Sequence, residues 1–415
     1  MKIFFILLFF NYTTSINYII LPLKKNREVF SQYQNILELL LNNEVYSEFY
    51  IGSPPQILKG FFNFLEHDSY IKKKTINGVF DEQLSSTYIS EKERLYYNTK
   101  FSKGFPSKDY LIFNNNKNNS ILKNFSFVLA SNITSEINEF NIGLKPKEFL
   151  DDTFFQQLKN GDIISSRIFC FNYNTNKILI GTYPHEVDEK NYDKLYLRRD
   201  KIQTETRFAS FDFLWEHIYY RNHTENFTDN YKGSMFNLNI KGILCSNSFQ
   251  SYLIDNFFYP YTKENKCKQE KLKINDNEYF TFICDTDINL KNFPTLFFIS
   301  QGIDFVFNLT GEDLFIKENN KYYCLISFLK GNFKWVLGEV FFKKYEIIFD
   351  LDRKSIVFYI DHPKTKSNFY IYIIFLLGIV IIILIGILIK CYYHLPRKKR
   401  ANELEEQFEY VTQIN

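Results

Sequence analysis

The chain has 415 residues, 45% of them apolar and 23% charged, which is enough apolar material for a sizeable core and excludes wholesale disorder. Fifty basic side chains against 47 acidic ones leave a formal charge of +3, which excludes the basic footprint of a nucleic-acid binder. Aromatic residues reach 19%, with only 15 Gly, and Asn/Lys tracts such as Asn114 to Asn119 follow the same compositional bias, so they carry little functional weight.

At the amino end, Met1-Lys2, the apolar run Ile3 to Phe10 and the small polar Thr13-Thr14-Ser15 have the build of a secretory signal peptide over residues 1–15. That apolar run is too short for a bilayer, which needs about 20 residues. From residue 45 to 360 the chain reads as short strands. Tyr46 to Ile51, Phe125 to Leu129, Phe169 to Tyr173, Lys177 to Gly181, Thr295 to Ile299 and Ile347 to Phe349 are β-branched or aromatic runs bounded by Asn, Gly, Pro or Asp. Helical patterns are brief, as at Asp152 to Lys159 and Phe249 to Asn256. The expected body is all-β with small helices.

Phe369 to Ile389 is a 21-residue run without a charge, followed by Lys390 and Arg397-Lys398-Lys399-Arg400. Length and flank predict one transmembrane helix with the positive end inside, and a cytosolic tail over 390–415. The predicted topology is single-pass type I, with the body extracellular or in the secretory or endolysosomal lumen. Asn-x-Ser/Thr sequons at Asn118, Asn124, Asn132, Asn222, Asn226 and Asn308 agree with that placement. Five cysteines fall on the lumenal side, where disulfides form. No Cys-x-x-Cys pair occurs and the six His are scattered, so neither a metal site nor a cofactor is expected.

Particular residues in the body resemble the pepsin-like aspartic peptidases. Tyr46 to Gln56, ending Ile51-Gly-Ser-Pro-Pro-Gln56, is similar to that family's opening strand and turn, and Leu84-Ser-Ser-Thr-Tyr88 to its Ser-Ser-Thr-Tyr segment. Tyr97 stands where the flap tyrosine belongs, with Gly104 and Asp109 behind it at the family's offsets. Phe154 to Tyr173 with Ile178 to Gly181 resembles a further stretch, and Trp335 to Tyr345 with Phe349-Asp350 resembles the family's Trp-Ile-Leu-Gly-Asp signature. The resemblance implies a bilobal acid-protease fold with lobes over 45–200 and 201–362. It implies a Cys284–Cys324 disulfide bracketing Phe293-Pro294 and Gly302. It also implies that residues 16–44, with Leu21-Pro-Leu-Lys-Lys25, are a shortened pro-like segment.

The same resemblance places two catalytic Asp-Thr/Ser-Gly loops, and there the sequence departs. Seven residues beyond Gln56 stands Asn63, and the triplet reads Asn63-Phe64-Leu65. The second loop is expected after the apolar Gly242-Ile243-Leu244, which puts Cys245 at the carboxylate position and Ser246 and Asn247, like Leu65 and Tyr97, on the cleft. A neutral amide cannot take the proton of the attacking water, and a thiol does not replace a carboxylic acid. Leu337-Gly338 and Ile142-Gly143 match the apolar-Gly supports that thread beneath each loop. The expectation is a pseudoprotease that binds extended peptide or protein in its cleft. The alternatives are an active aspartic endopeptidase with displaced catalytic residues and a structural or adhesive surface protein.

Overall fold

The structure, a computed structural model, describes residues 17–25, 35–41, 45–74, 79–90, 96–98, 101–114, 119–133, 139–145, 153–192, 195–201, 211–221, 226–229, 232–274, 276–300, 302–332, 334–361, 381–390 and 402–405. The signal peptide, Asn118, Asn222 and residues 369–380 and 391–400 lie outside them, as do the side chains of Tyr97, Asn132 and Asn226.

Strands form where the sequence alternates. In Val45–Ile51 every second side chain is buried, with half-buried positions between, the period-2 signature of a sheet with one covered face. Six strands expected from the sequence are present, as Val45–Ile51, Asn119–Ile133, Ile168–Asn172, Lys177–Ile180, Thr295–Ser300 and Ile347–Asp350. The helix Phe154–Asn160 buries Phe154, Phe155 and Leu158. The helix Asn247–Leu253 continues through a widened turn, Ile254–Phe258, into Tyr259–Lys263.

Residues 1–360 make one compact unit. Within it, two nine-stranded sheets repeat one ladder. In the first, Gln56–Asn63 runs parallel to Phe140–Gly143, which is antiparallel to Tyr70–Lys72, itself parallel to Asn119–Ile133. In the second, Gly233–Phe236 runs parallel to Trp335–Leu337, which is antiparallel to Ile243–Leu244, itself parallel to Ile326–Leu329. Chain order and strand direction are the same in both.

A six-stranded sheet joins segments far apart in sequence, in the order Ile19–Pro22, Lys177–Ile180, Ile168–Asn172, Ile347–Asp350, Ser355–Asp361 and Leu195–Lys201. One face of it carries Phe169, Phe171 and Phe349 into the main core, where Phe169 and Phe349 stack at 4.9 Å. The other carries Cys170, Ile348 and Val357 into a small separate core. Ile19 and Leu21 are buried on this sheet, and the helix Ile36–Leu41 buries four apolar side chains, so these described parts of the segment before residue 45 pack as part of the body.

Residues 361–415 form the second unit. Residues 381–390 are helical with exposed apolar side chains, as are 402–405 with an exposed Leu404. Among the described residues no helix is long and apolar enough to cross a membrane.

Candidate functional site

The duplicated ladder defines two equivalent loops. In the first, Asn63 closes its strand opposite Gly143, and the Leu144 N–H donates to the Asn63 carbonyl at 2.9 Å. The loop turns back on itself through the Leu65 N–H, which donates to Asn63 Oδ1 at 2.9 Å. In the second, Phe236 stands opposite Leu337, so Asn237 is the residue that meets Gly338. Its N–H donates to the Leu337 carbonyl at 3.0 Å, and the Asn239 N–H donates to Asn237 Oδ1 at 3.0 Å, repeating the first turn.

The two supporting glycines are demanded by close backbone approach. A Cβ on Gly143 would lie 2.5 Å from the His67 carbonyl, and one on Gly338 would lie 2.2 Å from the carbonyl oxygens of Ile240 and Gly242. Neither neighbour is a flexible side chain, so nothing larger than hydrogen fits.

The sequence reading put Cys245 at the second carboxylate position, and the pairing corrects this to Asn237. Gly242-Ile243-Leu244 leads away from the loop, because Ile243–Leu244 is the mate of Tyr70–Lys72, the strand that follows the first loop. Cys245 is fully buried, and burial pushes its thiol well up. The signal that could have found Asn237 is a repeated triplet, Phe62-Asn63-Phe64 against Phe236-Asn237-Leu238.

Both asparagines sit low in the loops, Asn63 at 6% and Asn237 at 3% exposure. Asn63 Nδ2 donates to Asn141 Oδ1 at 3.1 Å, and among the described residues the buried Asn141 Nδ2 has no hydrogen-bond partner. Phe64 faces away from the loop surface into the core between the two halves, within 6.2 Å centroid to centroid of Phe169, Phe171, Phe211, Phe342 and Phe349. Its N–H donates across to Asn239 Oδ1 at 3.4 Å, tying the two loops together. Leu65, by contrast, is 48% exposed.

Other expected cleft residues fall elsewhere. Ser246 is fully buried and caps the helix Asn247–Leu253 by accepting from the Phe249 N–H at 3.3 Å, while its hydroxyl donates to the buried Asp229. Asp229 also accepts from Ser248 Oγ at 3.0 Å and Trp335 Nε1 at 3.2 Å, so Ser246 is a brace for the fold and not a cleft group. Asn247 opens that helix and holds the 331–332 turn, its N–H donating to the Asn332 carbonyl at 2.8 Å. Tyr97 lies in the strand Tyr96–Asn98, paired with Phe101–Asn114. Of the sequons, Asn124 is exposed, whereas Asn308 Oδ1 accepts from Lys344 Nζ at 2.8 Å.

The Cys284–Cys324 pairing is also corrected. The strands Cys267–Ile274 and Asn277–Asp285 form a hairpin whose register sets Cys267 directly opposite Cys284, and these two form the disulfide. Cys324 is a buried free thiol, pushed up to about 12 by burial.

Beside the second loop lies a charged cluster. Glu339, fully buried at the start of the helix Glu339–Lys344, pairs with Lys343 and with Lys25 of the pro-like segment, the latter at 2.8 Å. Burial works against its charged form, but Lys343 and Lys25 outweigh burial and hold the carboxyl below the usual glutamate range. Lys241, 2% exposed, is brought down to about 8 by burial. Its N–H donates to the Leu40 carbonyl at 2.9 Å, a second tie to the segment before residue 45. Among the described residues no cluster of three or more His, Cys, Asp or Glu side chains is arranged to hold a metal ion.

A duplicated ladder with a loop on each glycine support, bridged by a six-stranded sheet, is the architecture of a bilobal pepsin-like fold. The family model for eukaryotic aspartyl protease matches residues 46–359, and the chain belongs to that family. No curated protein matches it.

Proposed function

We propose that this chain is a membrane-anchored pseudoprotease, a pepsin-like domain that holds extended peptide or protein in its cleft without cutting it. The observation that carries the reading is the pair Asn63 and Asn237, which the ladder places at equivalent points on the two glycine supports. Aspartic peptidases need two carboxylates sharing one proton, one to take the proton of water and one to donate to the scissile carbonyl. Two amides supply neither step at any working pH. An extended ligand is held by main-chain pairing and side-chain pockets, which need no catalytic water. Leu65 adds an exposed apolar side chain where the family has Gly, so the cleft floor favours an apolar side chain of the ligand.

The anchor is read from Phe369 to Ile389 and the basic run after it. The helix at 381–390 with exposed apolar side chains and the lumenal or secreted habit of pepsin-like domains support the same topology.

The test is peptide-library cleavage by the purified protein between about pH 3 and 7, with and without a statine-type inhibitor, beside retention of the same peptides. The Asn63→Asp/Asn237→Asp variant runs alongside. Retention without cleavage is expected. Inhibitor-sensitive cleavage by the natural chain would overturn the reading in favour of an active endopeptidase with displaced catalytic groups. Neither cutting nor binding would leave a structural or adhesive role.

A further inference from the structure

The outer face of the six-stranded sheet, opposite the face that packs Phe169 and Phe349, carries a second polar group of residues unrelated to the two loops. Beneath the short helices Pro184–Val187 and Glu189–Tyr192 lies a cavity of about 220 Å³. Its walls set apolar Ile20, Leu179, Pro184 and Val187 beside polar Thr175, Lys177 and Asp188. At one end is the Glu346 carboxylate. Tyr192 Oη lies 2.7 and 2.9 Å from its two oxygens, Asn172 Nδ2 donates to Oε1 at 2.8 Å, and the Cys170 thiol donates to Oε1 at 3.4 Å.

All three donors are neutral. Burial and the adjoining carboxylate push the Cys170 thiol and the Tyr192 phenol well above their ordinary values, so both keep their protons and neither can balance the charge. Among the described residues no Lys, Arg or His pairs with Glu346. Glu346 is half-buried with neutral donors only, and an ammonium would add the charge-assisted hydrogen bond that they do not supply. Size narrows the class further. A cavity of about 150 Å³ takes a benzene-sized guest, so this one has room for a ring or branched chain plus a short aminoalkyl arm.

We infer that this cavity binds a small amphipathic primary amine, its ammonium on Glu346 and its apolar body against Ile20, Leu179, Pro184 and Val187. Exposed Lys177 at the rim distinguishes two sources of that chemistry, since a free amino acid would set its carboxylate there and a simple amine would not.

The test uses the full-length chain with phenethylamine, phenylalanine and the neutral isostere 2-phenylethanol, read by calorimetry. Saturable binding of an amine-bearing compound is expected. Glu346→Gln, which keeps an acceptor and removes the charge, weakens it at least about tenfold. Val187→Phe, which fills the wall, does the same if the glutamine variant does not fold. Tighter binding of phenylalanine that is lost in Lys177→Gln assigns the amino-acid source, and tighter binding of phenethylamine assigns the simple amine. No saturable binding by either, equal binding of the alcohol, or an unchanged affinity in both folded variants overturns the proposal.

Discussion

Truncating Phe64 to Ala removes the ring that joins the two halves beneath the loops. The ring is 1% exposed and meets five aromatic neighbours, of which Phe211, Phe342 and Phe349 come from the second half of the chain. A buried Phe takes about 150–250 Å² out of water, and at about 25 cal/mol per Å² that is about 4–6 kcal/mol. Large-to-small core substitutions at Phe sites cost about 3–5 kcal/mol, so the two routes agree. Against a total stability on the order of 5–15 kcal/mol this is a large loss. Phe64→Thr, which restores the small hydroxyl residue of the active family loop, loses at least as much, because the hydroxyl enters an aromatic cluster. Phe64→Leu keeps most of the volume and costs about 1–2 kcal/mol. Urea unfolding followed by fluorescence of the buried Trp215 and Trp335 reads all three. A cost under about 1 kcal/mol for Phe64→Ala would refute the claim that this position is a packing element between the halves.

Glu339 has its folded pKa depressed, so the stability it contributes is fully present above its unfolded value and is lost as pH falls through the folded one. The stability difference between the natural chain and Glu339→Gln, about 1–3 kcal/mol, stays level from neutral pH to about 4.5 and shrinks below it. A difference that fades already at about pH 6 would contradict the pairing with Lys25 and Lys343. Lys241 is depressed in the opposite chemical sense, since burial disfavours its ammonium. Lys241→Met therefore gains about 2–3 kcal/mol at neutral pH, and the gain closes as pH rises from about 8 to 10.5; a flat difference across that window would refute it. Non-reducing peptide mapping recovers a Cys267–Cys284 link, and native alkylation leaves Cys245 and Cys324 unmodified because both are buried with raised thiol values. A recovered Cys284–Cys324 link would contradict the hairpin register.

Much of the architecture is legible because it rests on local signals. Val45–Ile51 declares its covered face by alternation, and the spacing behind Gln56 leads to Asn63 because the intervening strand has no insertion. The second loop is harder to read. Gly242-Ile243-Leu244 is the more apolar run and precedes a helix, so it imitates the strand that enters the loop, whereas the true entry is the short Gly233–Phe236. Beyond the repeated Phe-Asn-apolar triplet, it is pairing with Trp335–Leu337, about a hundred residues away, that tells the two apart, parallel for the entry strand and antiparallel for the other. The disulfide failed for a related reason. Hairpin register sets Cys267 against Cys284, and the turn signal was available in Asn275-Asp276-Asn277 midway between them. The Phe64 cluster and the Glu346 cavity gather residues from segments with no sequence relation, and only tertiary packing shows them.

The six-stranded sheet also dictates when the molecule can be finished. Its edge strand, Ile19–Pro22, is made well before its partner Lys177–Ile180, and the sheet closes only with Ser355–Asp361. At about 5–20 residues per second, the first strand waits roughly 20–70 s for the last. Until Lys177–Ile180 is made the apolar first strand has no partner, and until Ser355–Asp361 the sheet keeps an open edge. Closure of this sheet is therefore slow by construction, because its pairings join segments far apart in sequence.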